Sequence, residues 1–548
     1  MSQSEAVVTD NKPHKLDIEE GKTIYWCRCG RSKNPKGLCD GSHRGTDFTP
    51  LAFKPKETKE AHICMCKRTK NPPFCDGSHA KLKAKDFDIE DMGKPSTLSD
   101  DDNEEVTATK EEPTLPAIRE LARGPLSSQH GESVSMGVPL YTLPQWDDIQ
   151  LLPGQLSKRP LMDDAPVSTQ LVIGPKAKRP LKMDRPIFVS DMSFGALSEE
   201  AKVALAKGAE MAGVGICSGE GGMLPDEQAA NSKYLYEYAS AHFGWKNEAS
   251  ILSKVQAFHF KLGQGAKTGV GGHLPGSKVT ERIAKVRDLP VGEAAVSPAA
   301  HPDLVTPDDF ARMAEHVRAV SGGIPIGVKM SANDIEADID FALAIGIDYI
   351  ILDARGGGTG SAPAIIRDNI GIPGPAAIAR ARRHLDLRGA TDVTLIATGG
   401  LRVPAHFVKA MALGADGVAI ANSAIQSIGC VAARMCGTNQ CPSGVATQDE
   451  ELRKKLNVPK GARQLNHFLR NSTSLMQVLA RACGHGSLSE LSTADLTTWK
   501  SDMAQLAGIK YSGVSLGATP PPAESSLATA AAIVFAGALV AGAILMRR

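Results

Sequence analysis

Cysteine placement constrains this chain more than any other feature. Nine of its eleven cysteines fall into three groups: Cys27, Cys29 and Cys39; Cys64, Cys66 and Cys75; Cys430, Cys436 and Cys441. Metal centres need such grouping, and disulfide frameworks rarely show it. Thiolates kept for metal must stay reduced, which points to a reducing compartment. The remaining two, Cys217 and Cys483, read as buried thiols.

The first two groups belong to an internal repeat, CRCGRSKNPKGLCDGSH followed by CMCKRTKNPPFCDGSH. Each copy adds a histidine, giving Cys27, Cys29, Cys39 and His43, then Cys64, Cys66, Cys75 and His79. Three thiolates and one imidazole can close a tetrahedral zinc site or hold a compact cluster. The closing CDGSH of both copies, with Ser32 and Thr69 at matching positions, resembles the CDGSH family of iron–sulfur proteins. That resemblance implies two 2Fe-2S clusters, each with one histidine ligand. An imidazole in place of a thiolate raises the potential and can be protonated.

Length implies two or more folded units: 548 residues exceed one ordinary core. Sixty-two basic and 61 acidic residues leave a formal charge of +1, so nothing favours nucleic acid as a partner. The chain divides into a tail (1–19), the tandem cysteine module (20–84), an acidic linker (85–116), a large unit (117–515), a Pro-rich tether (516–525) and an apolar segment (526–546). Leu527 to Met546 is apolar or small apart from Thr529, and Arg547 and Arg548 follow it. At 1.5 Å per residue such a segment spans about 30 Å. It predicts a single-pass transmembrane tail anchor, membrane localisation and a catalytic domain on the cytoplasmic side. The N-terminus shows no apolar run and hence no secretory signal.

The large unit alternates apolar runs with Ala-rich stretches of helical period. Strands are predicted at 186–191, 212–217, 256–262, 293–297, 325–331, 348–353, 393–398 and 416–421. Eight strands alternating with helices give an α/β fold, a (β/α)8 TIM-type barrel behind a small β-rich module. Gly-rich and polar residues follow the strands, on the rim where barrels carry their sites. Gly399 and Gly400, with Ala421, Asn422 and Ser423, follow the last two strands, where a phosphate is commonly cradled.

CxxxxxCxxxxCxxGVATQ, EGG, QGAKxGxGGxLPG and GGGTGSxP together resemble the FMN-binding synthase domain of glutamate synthase, and more closely the smaller glutamate synthase-like family, over roughly residues 135–490. The resemblance implies FMN, 2-oxoglutarate as substrate and a 3Fe-4S cluster on Cys430, Cys436 and Cys441. It places Glu220, Lys267 and Arg287 around the 2-oxo acid. His273 stands where the large enzymes have Gln. Lys261 and Lys329 fall near the flavin ring, and Met192, Ser193, Ser218, Gln264, Gly357 and Gly358 contribute to its bed. Hydride transfer to 2-iminoglutarate would yield L-glutamate, with ammonia free or delivered by a partner. No GxGxxG follows a strand and no glutaminase domain fits, so an external electron donor, ferredoxin-like or a reductase subunit, is expected. The cysteine repeat is a candidate relay between that donor and the flavin. Two alternatives stay open: an N-methylglutamate synthase-like transferase, and a membrane-bound iron–sulfur carrier or sensor whose barrel is not catalytic.

Overall fold

A computed structural model describes residues 6, 9, 12–44, 46–81, 108–110, 112–122 and 131–514. They divide into two compact units, 1–129 and 130–548.

The smaller unit is built from two antiparallel pairs, His14–Ile18 with Lys59–Ile63 and Ile24–Trp26 with Leu51–Phe53. Each pair joins the segment before the first cysteine motif to the segment between the motifs, so neither copy is completed alone. Ile18, Trp26, Ala61 and Ile63 bury a small core with Cys64 and Cys66. The Trp26 indole N–H donates to the Cys64 carbonyl at 2.9 Å, tying one motif to the other.

The larger unit is a closed barrel of eight parallel strands: Ile187–Val189, Ile216–Cys217, Tyr234–Tyr238, Ala257–Lys261, Ile326–Ser331, Tyr349–Asp353, Thr394–Thr398 and Gly417–Ile420. The last pairs with the first, Val418 opposite Ile187. Both faces of these strands are covered, which is why their apolar runs are nearly continuous. Helices such as Glu199–Met211, Pro307–Ser321 and Gly374–Leu387 form the outer layer. Ser198 and Thr306 cap the first two, their side chains accepting from Ala201 and Asp309 N–H. A hairpin of Leu171–Ile173 and Leu181–Met183 covers the N-terminal mouth, where Gly174 N–H donates to Thr394 Oγ1 at 3.1 Å.

Seven of the eight expected strands lie in the barrel; one does not. Residues 293–297 contribute only Ala295–Val296, antiparallel to His273–Leu274 in a hairpin. The third barrel strand is instead Tyr234–Tyr238, YLYEY, with all five residues buried. An aromatic strand carrying a glutamate in its centre does not read as an apolar run, so its period was missed.

The expected membrane localisation is corrected. Among the described residues no helix is long and apolar enough to cross a membrane. The 25-residue helix Val458–Ala482 carries Lys460, Arg463, Arg470 and Arg481, and it packs on the barrel through Leu465, Leu469 and Met476. The segment 526–546 itself lies outside the described residues.

Candidate active site

At the C-terminal rim of the barrel lies an open cavity. Strand ends and the loops behind them set its charged lining. Asp191 follows the first strand, Glu220 the second, Glu237 lies within the third, Lys261 ends the fourth, and Lys329 lies within the fifth.

These side chains form a ladder of alternating sign. Lys267 Nζ stands 3.9 Å from Glu220, whose other oxygen meets Lys261 Nζ at 2.5 Å. Lys261 lies 3.9 Å from Glu237, and Glu237 3.6 Å from Lys329. Lys329 pairs with Asp191 at 2.8 Å, and Asp191 with His259 Nε2 at 2.9 Å. His259 Nδ1 faces the Tyr349 hydroxyl at 3.0 Å, and the Cys217 thiol donates to Asp191. Alternation is what lets so many charges stay buried, since each is paired.

Burial alone would raise the Glu220 carboxyl, but the Lys261 and Lys267 ammonium groups, with Arg287, hold it well below the usual carboxylate range. Burial lowers Lys267 against the pull of Glu220, and brings Arg287 down to about 10. Burial would also lower Lys329; Asp191 and Glu237 overcome it and raise it. Arg287, 3% exposed, donates to the Phe194 carbonyl at 2.7 Å and lies over the Phe243 ring. Around Glu220 the cations outnumber the carboxylate, so this end of the cavity suits an anion.

Met192, Ser193, Glu220, Lys261, Gln264, Lys267, His273, Arg287, Lys329, Gly358, Ala421 and Asn422 all line this cavity. His273 is exposed at its mouth. Ser218 does not line it: its hydroxyl accepts from Glu237 N–H at 3.0 Å and serves to join the second strand to the third.

Gly357, Gly399 and Gly400 line an adjoining recess with Gln264, Lys329, Ala421 and Asn422. Gly399 has φ +100° and presses against the Ala354 backbone, where no side chain would fit. The Arg402 guanidinium also lines the recess, and burial alone lowers its pKa. Backbone packed this tightly beside the buried Lys329 and the half-buried Arg402 fits a phosphate, and the lining of the adjoining cavity fits a planar ring system, so the residues present fit FMN.

The three cysteines line a third recess. Ala432, Arg434 and Asn439 hold positive φ values of 55°, 56° and 65°, which wrap the loop around it. Burial opposes ionisation of Cys441, but the Ser443 hydroxyl and the N–H groups of Ala446, Ser443 and Val445 bring its pKa below the ordinary thiol value. Burial, reinforced by Cys430 and Cys441, raises Cys436 to about 11. A thiolate nest against mutually repelling neighbours is what a bound cluster would relieve. Cys436 and Gly437 line the charged cavity as well. Lys278, 2% exposed, donates to the Cys436 carbonyl at 3.2 Å and to Ala446 at 3.3 Å.

In the smaller unit the two cysteine motifs repeat one geometry. Cys27 and Cys29 sulfurs lie 3.6 Å apart, as do those of Cys64 and Cys66. Cys39 Sγ meets His43 Nδ1 at 3.1 Å, and Cys75 meets His79 at the same distance. Ser32 and Thr69 donate to the Leu38 and Phe74 carbonyls, and Asp40 and Asp76 accept from Lys33 and Lys70 N–H at 2.7 Å. Both copies thus repeat a close pair of thiols and a close thiol–imidazole pair, a donor set that fits iron or zinc.

Sequence reasoning missed Asp191, Glu237, Lys278 and Arg402. Glu237 went with its strand. Lys278 lies within LPGSKV and Arg402 within TGGLR; full burial separates Lys278 from surface cations, and a place on the glycine-lined recess separates Arg402.

Residues 153–486 match the family described as the conserved region in glutamate synthase, and 48–80 match the iron-binding zinc finger of CDGSH type. An archaeal-type glutamate synthase (NADPH) of Thermotoga sp. (strain RQ2) is 39% identical over 287 residues, 52% of this chain and 56% of that protein. This chain therefore matches little more than half the length of that relative. A glutamate synthase large subunit-like protein of Rhizobium meliloti (strain 1021) is 33% identical over 429 residues, 75% of this chain and 96% of that protein. Human mitochondrial inner NEET protein shares 40% identity over 15% of this chain and 90% of its own, with a TM-score of 0.14.

Proposed function

The chain belongs to the glutamate synthase family, and on that premise we propose that its barrel forms L-glutamate from 2-oxoglutarate and ammonia through 2-iminoglutarate. The observation that carries this reading is one cavity lined by Glu220, Lys267 and Arg287 at one side and by Cys436 at another.

A 2-oxo diacid brings two carboxylates. Lys267 and Arg287 supply charge-assisted hydrogen bonds to them and fix the C2 atom. The Glu220 carboxylate receives the N–H of the condensing ammonia and orients the imine nitrogen; with its depressed pKa it acts as acceptor and positioner. Condensation with ammonia releases the C2 oxygen as water; bound FMN would supply a hydride to C2 of the imine and a solvent proton completes the amine, so two electrons and two protons are consumed. Gln264, Gly358, Ala421 and Asn422 would hold the isoalloxazine, Gly399, Gly400 and Arg402 its phosphate, and Lys329 would stabilise negative charge on the reduced ring.

Cys430, Cys436 and Cys441 would hold a 3Fe-4S cluster, and each cysteine motif of the smaller unit a 2Fe-2S cluster. Their donor sets support this, and single electrons from an external donor would enter through them. The paired, buried charge ladder favours a working enzyme over a carrier whose barrel has no catalytic part, because such a network is costly to keep.

The test is product analysis with 2-oxoglutarate, ¹⁵N-ammonium and dithionite under anaerobic conditions, beside glutamate with methylamine. Labelled glutamate is expected. N-methylglutamate from the second mixture alone would assign the chain to the transferase reading, and no product from either would remove both enzymes.

A further inference from the structure

A second cluster of ligating side chains lies on the rim outside the charged cavity. We propose that His242, His301 and Asp303 form a binding site for a divalent transition metal of the zinc class. One ring nitrogen from each histidine and a carboxylate oxygen of Asp303 lie within 4.8 Å of one another.

The lone pairs are already available. His301, 6% exposed, meets the Lys261 carbonyl through Nε2 at 3.2 Å. That acceptor fixes the proton on Nε2 and leaves Nδ1 bare, and Nδ1 is buried without a hydrogen-bond partner. His242 Nε2 is likewise buried and makes no hydrogen bond, although it stands 3.3 Å from Asp303 Oδ1. Donors about 2.0 Å from a tetrahedral ion stand about 3.3 Å apart, so this spacing already matches one edge of the tetrahedron. Two imidazoles and one carboxylate form the donor set of an open zinc site, with a fourth position left for water.

His242 holds φ +53°, in the left-handed region that histidine enters more readily than most side chains. The Tyr238 ring stacks on both imidazoles, at 4.8 Å from His242 and 5.6 Å from His301, and fixes their planes. Ser240 Oγ donates to the Pro298 carbonyl at 2.6 Å, which docks the loop after the third strand on the segment that carries His301 and Asp303.

A bound ion would clamp these two segments together. Ser297 N–H donates to the Gly272 carbonyl at 2.9 Å, next to His273, and His301 meets the Lys261 carbonyl, so the clamp would steady the mouth of the charged cavity through backbone contacts. This inference does not depend on the reaction proposed above.

The experiment uses the full chain, isolated anaerobically and dialysed against zinc ions, beside His242→Ala and Asp303→Asn. Zinc, iron and flavin are then measured per chain. The wild type is expected to retain one zinc more than either variant, with equal iron and flavin in all three. Its zinc-edge X-ray absorption should show nitrogen and oxygen neighbours at about 2.0–2.1 Å. Equal zinc in all three proteins would overturn the site, as would sulfur neighbours at about 2.3 Å, which would place the ion on cysteines.

Discussion

Lys267 has the barest pairing of the ladder's cations, 3.9 Å from Glu220, and burial lowers its pKa. An incoming carboxylate would complete its pairing. Lys267→Met is therefore expected to raise the KM for 2-oxoglutarate by about 10–100-fold, since hydrogen bonds to charged groups contribute about 1.5–3 kcal/mol. Steady-state kinetics with a chemical reductant read this directly, and an unchanged KM would remove Lys267 from substrate binding. Glu220→Gln removes the only carboxylate within 4 Å of Lys267 among the described residues. It should lower kcat by about 100-fold while leaving flavin bound, which turnover and flavin content measure together. Lys278 acts on the cysteine loop instead. Its charge lies against the Cys436 carbonyl, and Lys278→Met is expected to lower the potential of the cluster there by several tens of mV. A redox titration followed by electron paramagnetic resonance gives that shift; no shift would mean that Lys278 is neutral in place.

Among the elements, the helix Pro404–Ala412 steadies the recess lined by Gly399, Gly400 and Arg402 through a histidine. Arg402 N–H donates to His406 Nδ1 at 3.3 Å, and the His406 ring stacks on Trp146. Burial, against the pull of Asp147 and aided by Lys409 and Arg402, lowers its pKa to about 4. An unfolded histidine titrates near 6.5. Between these values the unfolded chain binds more protons, so this histidine makes stability rise with pH across that window. Below about pH 4 the protonated ring can no longer accept from Arg402. Denaturation midpoints measured from pH 4 to 7 should therefore fall more steeply with acid in the wild type than in His406→Gln. Equal slopes would contradict the assignment.

The same scale shows what could be read in advance. Strands such as Ile326–Ser331 and Tyr349–Asp353 announced themselves because both faces are buried and the residues are aliphatic. Tyr234–Tyr238 did not, because its glutamate belongs to the site rather than to the core. The glycine loops were legible as rim loops, whereas nothing local marks the Ser218 hydroxyl as the group that accepts from Glu237 N–H and joins two strands. Asp191 and Glu237 went unseen because pairing across strands depends on barrel closure, which no local pattern encodes.

For the molecule as a whole, the repeat of the cysteine motif and the barrel follow from sequence pattern, while the membrane expectation does not stand among the described residues. The two units stay chemically distinct: thiol and imidazole donors in one, a charged cavity beside a cysteine loop in the other. The central claim is that the cavity holds a flavin able to reduce the imine of a 2-oxo diacid. Reduce the full-length protein anaerobically with one equivalent series of dithionite, remove the excess, and add 2-oxoglutarate with ammonium while recording the absorption spectrum. Return of the oxidised flavin bands only when both are present, with matching L-glutamate, is the expected result. Flavin that stays bleached with both present, or protein that carries no flavin at all, would contradict it.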